Sequence, residues 1–403
     1  MQITKRHQEF LVPESEIMYR VRHFQSELQQ LSINPVWIEY PVDLTYFTGS
    51  SQSGVLLIPS EQEPVFYAKK SLNRAEQESP LTVKPYPGRK AILKKVKEIS
   101  KNSRTIGLSM DITPASRYIW LKENLASYDI RDISMMIRLR RAVKSNWEIS
   151  QIQEAAHQAD TIFQEAGQYI HPGQTELETS ALFEQRMRSS GHCGVMRTRG
   201  FGSELPIITV VSGNTALYPM NFDGPSGGEG PYPSAPTGGG WKKLEKGKSV
   251  LVDMVTSYNG YYSDQTRTFF LGKKLSQPAQ RAYDFCRETL KKLEKNLKPG
   301  NDCSEIYEKI HKWAVDKGVP EGFMGFGENR VKFFGHGVGI ELDEFPILAK
   351  KIDIPLQTGM VIAIEPKAYL KGIGALGLEN TYVITDSGYQ CLNKADQDIK
   401  FLS

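Results

Sequence analysis

Apolar residues recur at helical spacing near the start of the chain: Ile17, Met18, Val21, Phe24, Leu28 and Leu31 share one face of a helix over about residues 15–31. Short β-rich runs follow at 36–40, 44–47, 54–58 and 65–68. Residues 91–99 then read as helix, 105–108 as strand and 115–125 as helix again. Strands alternating with helices predict an α/β domain. No cluster of catalytic residue types stands out in it, so the expected role is structural or in oligomerisation.

The pattern changes at the basic stretch 138–144, and the domain boundary is set at about residue 145, giving domains 1–145 and 146–403. Ser145-Asn-Trp-Glu148 is a capping box, and Ile149, Ile152, Ala155, Ala159, Ile162, Phe163 and Ala166 form the stripe of a long helix behind it. His171-Pro-Gly173 stops that helix, so His171 reads as turn surface. Thr175-Glu-Leu-Glu178 caps the next helix. A strand is predicted at 206–211. Residues 223–240 are too rich in glycine and proline for regular structure, and form either a loose surface loop or a loop over a site. Helices are predicted at 278–297 and from the Asp302 cap to 317, with Gly318 past the end. The remainder is β-rich, with runs at 334–340, 361–366 and 377–384.

The stretch 250–270 reads as a β-hairpin turning at Asn259-Gly260. Counting back from a two-residue turn sets Asp253 opposite Thr266 and Asp264 opposite Val255. Side chains alternate along a strand, so Asp253, Asp264 and Thr266 share a face and the two carboxylates are diagonal neighbours. Solvated acids on an exposed hairpin would be unremarked. The flanking Val, Leu, Tyr and Phe instead predict a covered sheet, where two buried carboxylates need a cation between them. His336 among glycines, Glu365 at the end of an apolar run, and Glu379 at the start of another each admit a bland reading, such as a salt bridge. Together with the two aspartates they supply four carboxylates and one imidazole, a donor set for divalent ions.

Composition narrows the classes. Fifty Lys and Arg against forty-six Asp and Glu give a formal charge of +4 in 403 residues, too mild a balance to argue for nucleic acid or an anionic membrane. No apolar run is long enough for a membrane span, and the first residues lack a signal-peptide core. Four cysteines (193, 286, 303, 391) without paired spacing fit reduced thiols, and a cytoplasmic location is expected.

These motifs resemble the pita-bread-fold metallopeptidases: Xaa-Pro aminopeptidase, prolidase, methionine aminopeptidase and the related creatinase. The likeness covers essentially the whole chain. Asp253 and the stretch Gly260-Tyr-Tyr-Ser-Asp264-Gln-Thr-Arg-Thr268 match the family's aspartate motif. Gly335-His-Gly-Val-Gly339, Ile364-Glu-Pro366 and Glu379-Asn-Thr381 match the others in the family's order. The resemblance implies an α+β architecture: a creatinase-type N-terminal α/β domain followed by a pita-bread catalytic domain. It also implies that Asp253, Asp264, His336, Glu365 and Glu379 ligate two divalent ions, of Mn2+, Zn2+, Co2+ or Fe2+. The reaction implied is hydrolysis of a C–N acyl bond in a short peptide or peptide-like small molecule, with the ions activating water and Glu365, both ligand and general base, handling the proton. A homodimer is expected.

The chain departs from the peptidase pattern at three histidine positions, held here by Met220, Lys332 and Asp343. A histidine can donate to a developing oxyanion, whereas an ionised aspartate only accepts. A dimethylsulfoniopropionate lyase of the same fold also resembles the His-Gly-Val-Gly…Asp-Glu-x-Pro arrangement, with Asp343 as the base. That lyase carries a further aspartate where this chain has Val255. A non-catalytic binding member of the fold is the third reading.

Overall fold

The computed structural model describes residues 2–100, 103–200, 204–221, 223–328 and 330–403. The chain divides into two compact units, Met1–Arg140 and Arg141–Ser403.

The first unit is a six-stranded mixed sheet of β1 (Val36–Ile38), β2 (Gly54–Ile58), β3 (Val65–Ala68), β4 (Thr82–Pro85), β5 (Thr105–Leu108) and β6 (Asp129–Asp132), in the order β4-β3-β2-β1-β5-β6. Trp37, Val55, Leu57, Ile106 and Leu108 bury one face under the helices Arg89–Ile99 and Ala115–Asn124. The expected strand at 44–47 is instead part of the helix Pro41–Thr48. Pro41 sits in the first turn, where its fixed φ suits a helix and its missing N–H costs nothing. Gly49 ends the helix in the left-handed conformation, at φ 75°. Val42, Leu44, Tyr46 and Phe47 are all buried, and Phe47 packs 4.9 Å from Phe24 on the helix Glu14–Gln30. A four-residue apolar run is too short for its period to tell strand from helix.

The second unit carries the candidate site. Both capping boxes form: Ser145 with Glu148, and Thr175 with Glu178, opening the helices Asn146–Glu165 and Glu176–Ser189. The longer helix buries Ile152, Ala155, Ala159, Ile162 and Phe163. Each large side chain among them contributes about 1.5–3 kcal/mol. It packs on a four-stranded sheet of β7 (Ile208–Ser212), β8 (Ser249–Tyr258), β9 (Tyr261–Leu271) and β17 (Lys400–Leu402). A second sheet has the order β11-β10-β12-β15-β16, from β10 (Phe333–Gly337), β11 (Glu344–Ala349), β12 (Val361–Ile364), β15 (Asn380–Thr385) and β16 (Gly388–Cys391). A ribbon of β13 (Lys367–Leu370) and β14 (Gly374–Gly377) completes the β structure. The helices Gln277–Glu294 and Cys303–Lys317 pack into the core formed with the second sheet and the ribbon.

A buried ion network fixes the loop after β10. Glu344 accepts from Arg141 Nη2 at 2.6 Å and from Lys144 Nζ at 2.9 Å, and Arg141 also donates to Glu341 at 2.6 Å. A Cβ on Gly339 would lie 2.6 Å from the Glu344 carboxylate and would push it from its bonds to Arg141 and Lys144. Burial alone would raise the Glu344 pKa, but Arg141 and Lys144 overrule it and hold the group at about 2, against an ordinary 4.5.

A depressed folded-state pKa gives stability that is complete above the unfolded value and lost as pH falls through the folded one. Glu344→Gln is therefore expected to lose about 3–5 kcal/mol near neutral pH, because buried Lys144 loses its carboxylate and buried Arg141 keeps only Glu341. The gap to the native chain should close as pH falls from about 4.5 towards 2. Thermal melts of both proteins across that range check this; a gap independent of pH contradicts it.

Candidate metal centre

The central hairpin pairs without interruption from Ser249↔Phe270 to Tyr258↔Tyr261, with Asp253 opposite Thr266 and Val255 opposite Asp264. Asn259 and Gly260 both have positive φ, as the tight turn requires. The register read from the turn is the register observed.

The Thr266-Arg267-Thr268 segment of β9 joins the hairpin to the link between β14 and β15, which carries Glu379. The Glu379 backbone N–H donates to Thr266 O at 3.1 Å, and Thr266 Oγ1 donates to Glu379 Oε2 at 2.7 Å. Thr268 Oγ1 donates to Gly377 O at 2.7 Å, and Thr381 Oγ1 bridges the backbone of Asp264. Arg267 is buried and spends its guanidinium on Thr266 O, Glu379 O, Ala395 O, Asp396 O and Asn380 Oδ1, all at 2.8–2.9 Å. From the other side, β10 pairs with β12 so that His336 lies opposite Ala363, two residues before Glu365.

The five sequence-predicted residues thus converge. Ligand atoms of Asp264, His336 and Glu379 lie within 4.8 Å of one another, and so do those of Asp253, Glu365 and Glu379. His336 is oriented through Nδ1, 3.1 Å from Gly337 O and 3.2 Å from Leu342 O. A proton on Nδ1 satisfies those carbonyls and leaves the Nε2 lone pair facing the acids, at 3.8 Å from Asp264 Oδ2 and 3.7 Å from Glu365 Oε1. Asp264 Oδ1 and Glu379 Oε1 are buried with no hydrogen-bond partner. Orphaned carboxylate oxygens beside a free imidazole nitrogen are the donor set that a divalent ion fits.

A sixth residue sits among them that the motif reading passed over. Lys367 Nζ donates to Asp253 Oδ2 at 3.0 Å, Glu365 Oε2 at 2.6 Å and Glu379 Oε2 at 3.0 Å, and its side chain is completely buried. The available signal was a lysine two residues past a buried glutamate, inside the apolar stretch 361–370. One ammonium is not enough charge for four carboxylates. Burial raises Asp264 well above the ordinary range, with Glu379 and Asp253 adding to it. Burial likewise lifts Glu365 to about 8 against the pull of Lys367. Asp253 is also desolvated, but Lys367 holds it below its usual value.

Asp253, Asp264, His336 and Glu365 open onto a cavity of about 60 Å3. Its walls include Met196, Leu205, Pro206, Met220, Phe333 and Leu342, with Thr209 and Ser226 as polar points. The glycine-rich segment contributes Asp223, Gly224, Pro225 and Ser226 to this wall, and residues 225–228 are buried, so this part of it covers the site. Of the three residues at histidine positions, Met220 and Asp343 line the cavity, whereas Lys332 is exposed and does not. Asp343 is half-exposed, with Oδ1 3.6 Å from His336 Nδ1, the ring nitrogen turned away from the other acids.

This fold and site define a class: a creatinase-type domain followed by a pita-bread unit whose sheets focus acids and one histidine on a cavity. Residues 150–386 match the metallopeptidase family M24, and residues 20–143 match the creatinase/prolidase N-terminal domain. The chain belongs to metallopeptidase family M24 and is a metallohydrolase. It is 26% identical over 376 residues to the Xaa-Pro dipeptidase of Pyrococcus furiosus, covering 92% of this chain and 97% of that one. An uncharacterized peptidase of Staphylococcus epidermidis is 25% identical over 394 residues, covering 94% of this chain and 100% of its own. Among solved structures, the prolidase from Pyrococcus horikoshii superposes with a TM-score of 0.78 at 25% identity, over 94% of this chain and 99% of that one. The Xaa-Pro dipeptidase from Bacillus anthracis has a TM-score of 0.81 at 24% identity, over 96% and 100% of the two chains. Among the described residues no helix is long and apolar enough to cross a membrane.

Arg267→Met should cost about 3 kcal/mol or more in urea denaturation, since each lost bond to a charged donor is worth ~1.5–3 kcal/mol and buried carbonyls are left unpaired. Arg267→Lys should recover only part of this, lacking the planar fork. A methionine variant as stable as the native chain contradicts the role given to the guanidinium.

Proposed function

We propose that this chain hydrolyses the C–N acyl bond of short peptides of the Xaa-Pro type, or of peptide-like small molecules, using Asp253, Asp264, His336, Glu365 and Glu379 around bound metal. The observation that carries the reading is the set of buried, unpartnered carboxylate oxygens beside the free Nε2 of His336. That mixed oxygen and nitrogen set accepts Mn2+, Zn2+, Co2+ or Fe2+. When bound, such an ion supplies Lewis-acid polarisation of the acyl oxygen and activation of water.

The chain's own residues do the rest. Glu365 lines the cavity and keeps Oε1 on the His336 side, while Oε2 is held by Lys367. It takes the proton of the attacking water as the O–C bond forms, then passes it to the nitrogen as the C–N bond breaks. Met196, Leu205, Pro206, Phe333 and Leu342 suit an apolar side chain or a proline ring. Asp343 only accepts hydrogen bonds, so it suits a substrate ammonium rather than an oxyanion. The lyase reading needs Asp343 as base. The position of Asp343 at the Nδ1 edge of His336, with Glu365 inside, favours hydrolysis, as does the likeness to peptidases along the whole chain. Retention of all five donors weighs against the binding-module reading.

Activity on a panel of Xaa-Pro dipeptides should vanish after chelation and return with Mn2+, Co2+, Zn2+ or Fe2+. Glu365→Gln should lower kcat by about 10^2–10^4, the usual range for a lost general base. Turnover that survives chelation, or no turnover with any ion, contradicts the proposal.

A further inference from the structure

The geometry points to a one-ion centre in which the ammonium of Lys367 permanently takes the place of a second divalent cation. This rests on the metal reading above but does not follow from it. The acids form two clusters, and they are not equivalent. The Asp264/His336/Glu379 cluster keeps an orphaned oxygen on each of its carboxylates, whereas the Asp253/Glu365/Glu379 cluster has the Lys367 ammonium bonded to all three of its acids.

The oxygens are partitioned between these two positions. Glu365 gives Oε2 to the lysine and keeps Oε1 on the His336 side. Glu379 Oε2 accepts from both Lys367 and Thr266, and its Oε1 is left bare. Asp253 Oδ2 accepts from Lys367. An ammonium has three N–H donors, and all three are used on carboxylates. Lys367 therefore has no donor left for substrate, and it is absent from the cavity wall. It is a positioning residue, not a catalytic one.

The lysine is also held there by its stem. Lys367 pairs with Gly377 across the ribbon, and a Cβ at 377 would lie 2.7 Å from Lys367 Cγ and 2.8 Å from its Cα. The glycine leaves the space through which the aliphatic chain reaches the acids. A divalent ion such as Zn2+ in the second cluster would need the same oxygens at about 2.0–2.2 Å, and would face a positive charge that bonds them already. A Lys-free centre has no such competitor.

The full-length protein, stripped with chelator and equilibrated with Mn2+ alone, is counted by native mass spectrometry and elemental analysis. The native chain should bind a single Mn2+. Lys367→Ala should bind two, because three carboxylates lose their cation and a position opens. Lys367→Gln, close in length but uncharged, gives the same test should the alanine variant not fold. Two ions on the native chain overturn the inference, and so does a single ion on folded Lys367→Ala or Lys367→Gln. No ion on any of them overturns the metal reading itself, which distinguishes the two failures.

Discussion

Charge compensation is the constraint on which this structure depends. Asp253, Asp264, Glu365 and Glu379 are brought together from three segments of chain, and all but Asp253 are almost wholly buried. Carboxylates in such surroundings either take up protons or acquire a cation. The raised pKa values of Asp264 and Glu365 show how far one lysine falls short of balancing them. A site that needs positive charge, and keeps bare, buried oxygens on Asp264 and Glu379, is suited to bind it.

The fold serves that need by cross-linking the segments that carry the acids. Thr266, Arg267 and Thr268 tie β9 to residues 377–381, so the two aspartates and Glu379 belong to one hydrogen-bonded framework. The Glu344 network does the same for the loop that turns back over His336. Neither network touches the cavity as a reacting group. Both hold donors at fixed separations, which is what a metal site requires of its surroundings.

How much was legible in the sequence follows from which signals are local. The hairpin register was readable because Asn259-Gly260 fixes the turn and a strand alternates strictly. The two capping boxes were readable for the same reason: their partners lie three residues apart. The helix at Pro41–Thr48 was missed because a short apolar run carries no period, and the proline and glycine at its ends were the better evidence. Lys367 was missed for a different reason. Lysine is the residue least expected inside a core, and its three partners lie 2, 12 and 114 residues away, so only the folded chain brings them together. Asp343 was found as a departure from a family pattern, but which edge of the imidazole it faces is a matter of loop geometry.

The most direct test is a crystal soaked in Mn2+ and measured at the manganese edge. One anomalous peak is expected, bounded by Asp264, His336 Nε2 and Glu379, with the Lys367 side chain ordered between Asp253, Glu365 and Glu379. Two peaks separated by about 3.5–4 Å, the spacing of two-metal sites, with Lys367 displaced from the acids, would contradict it.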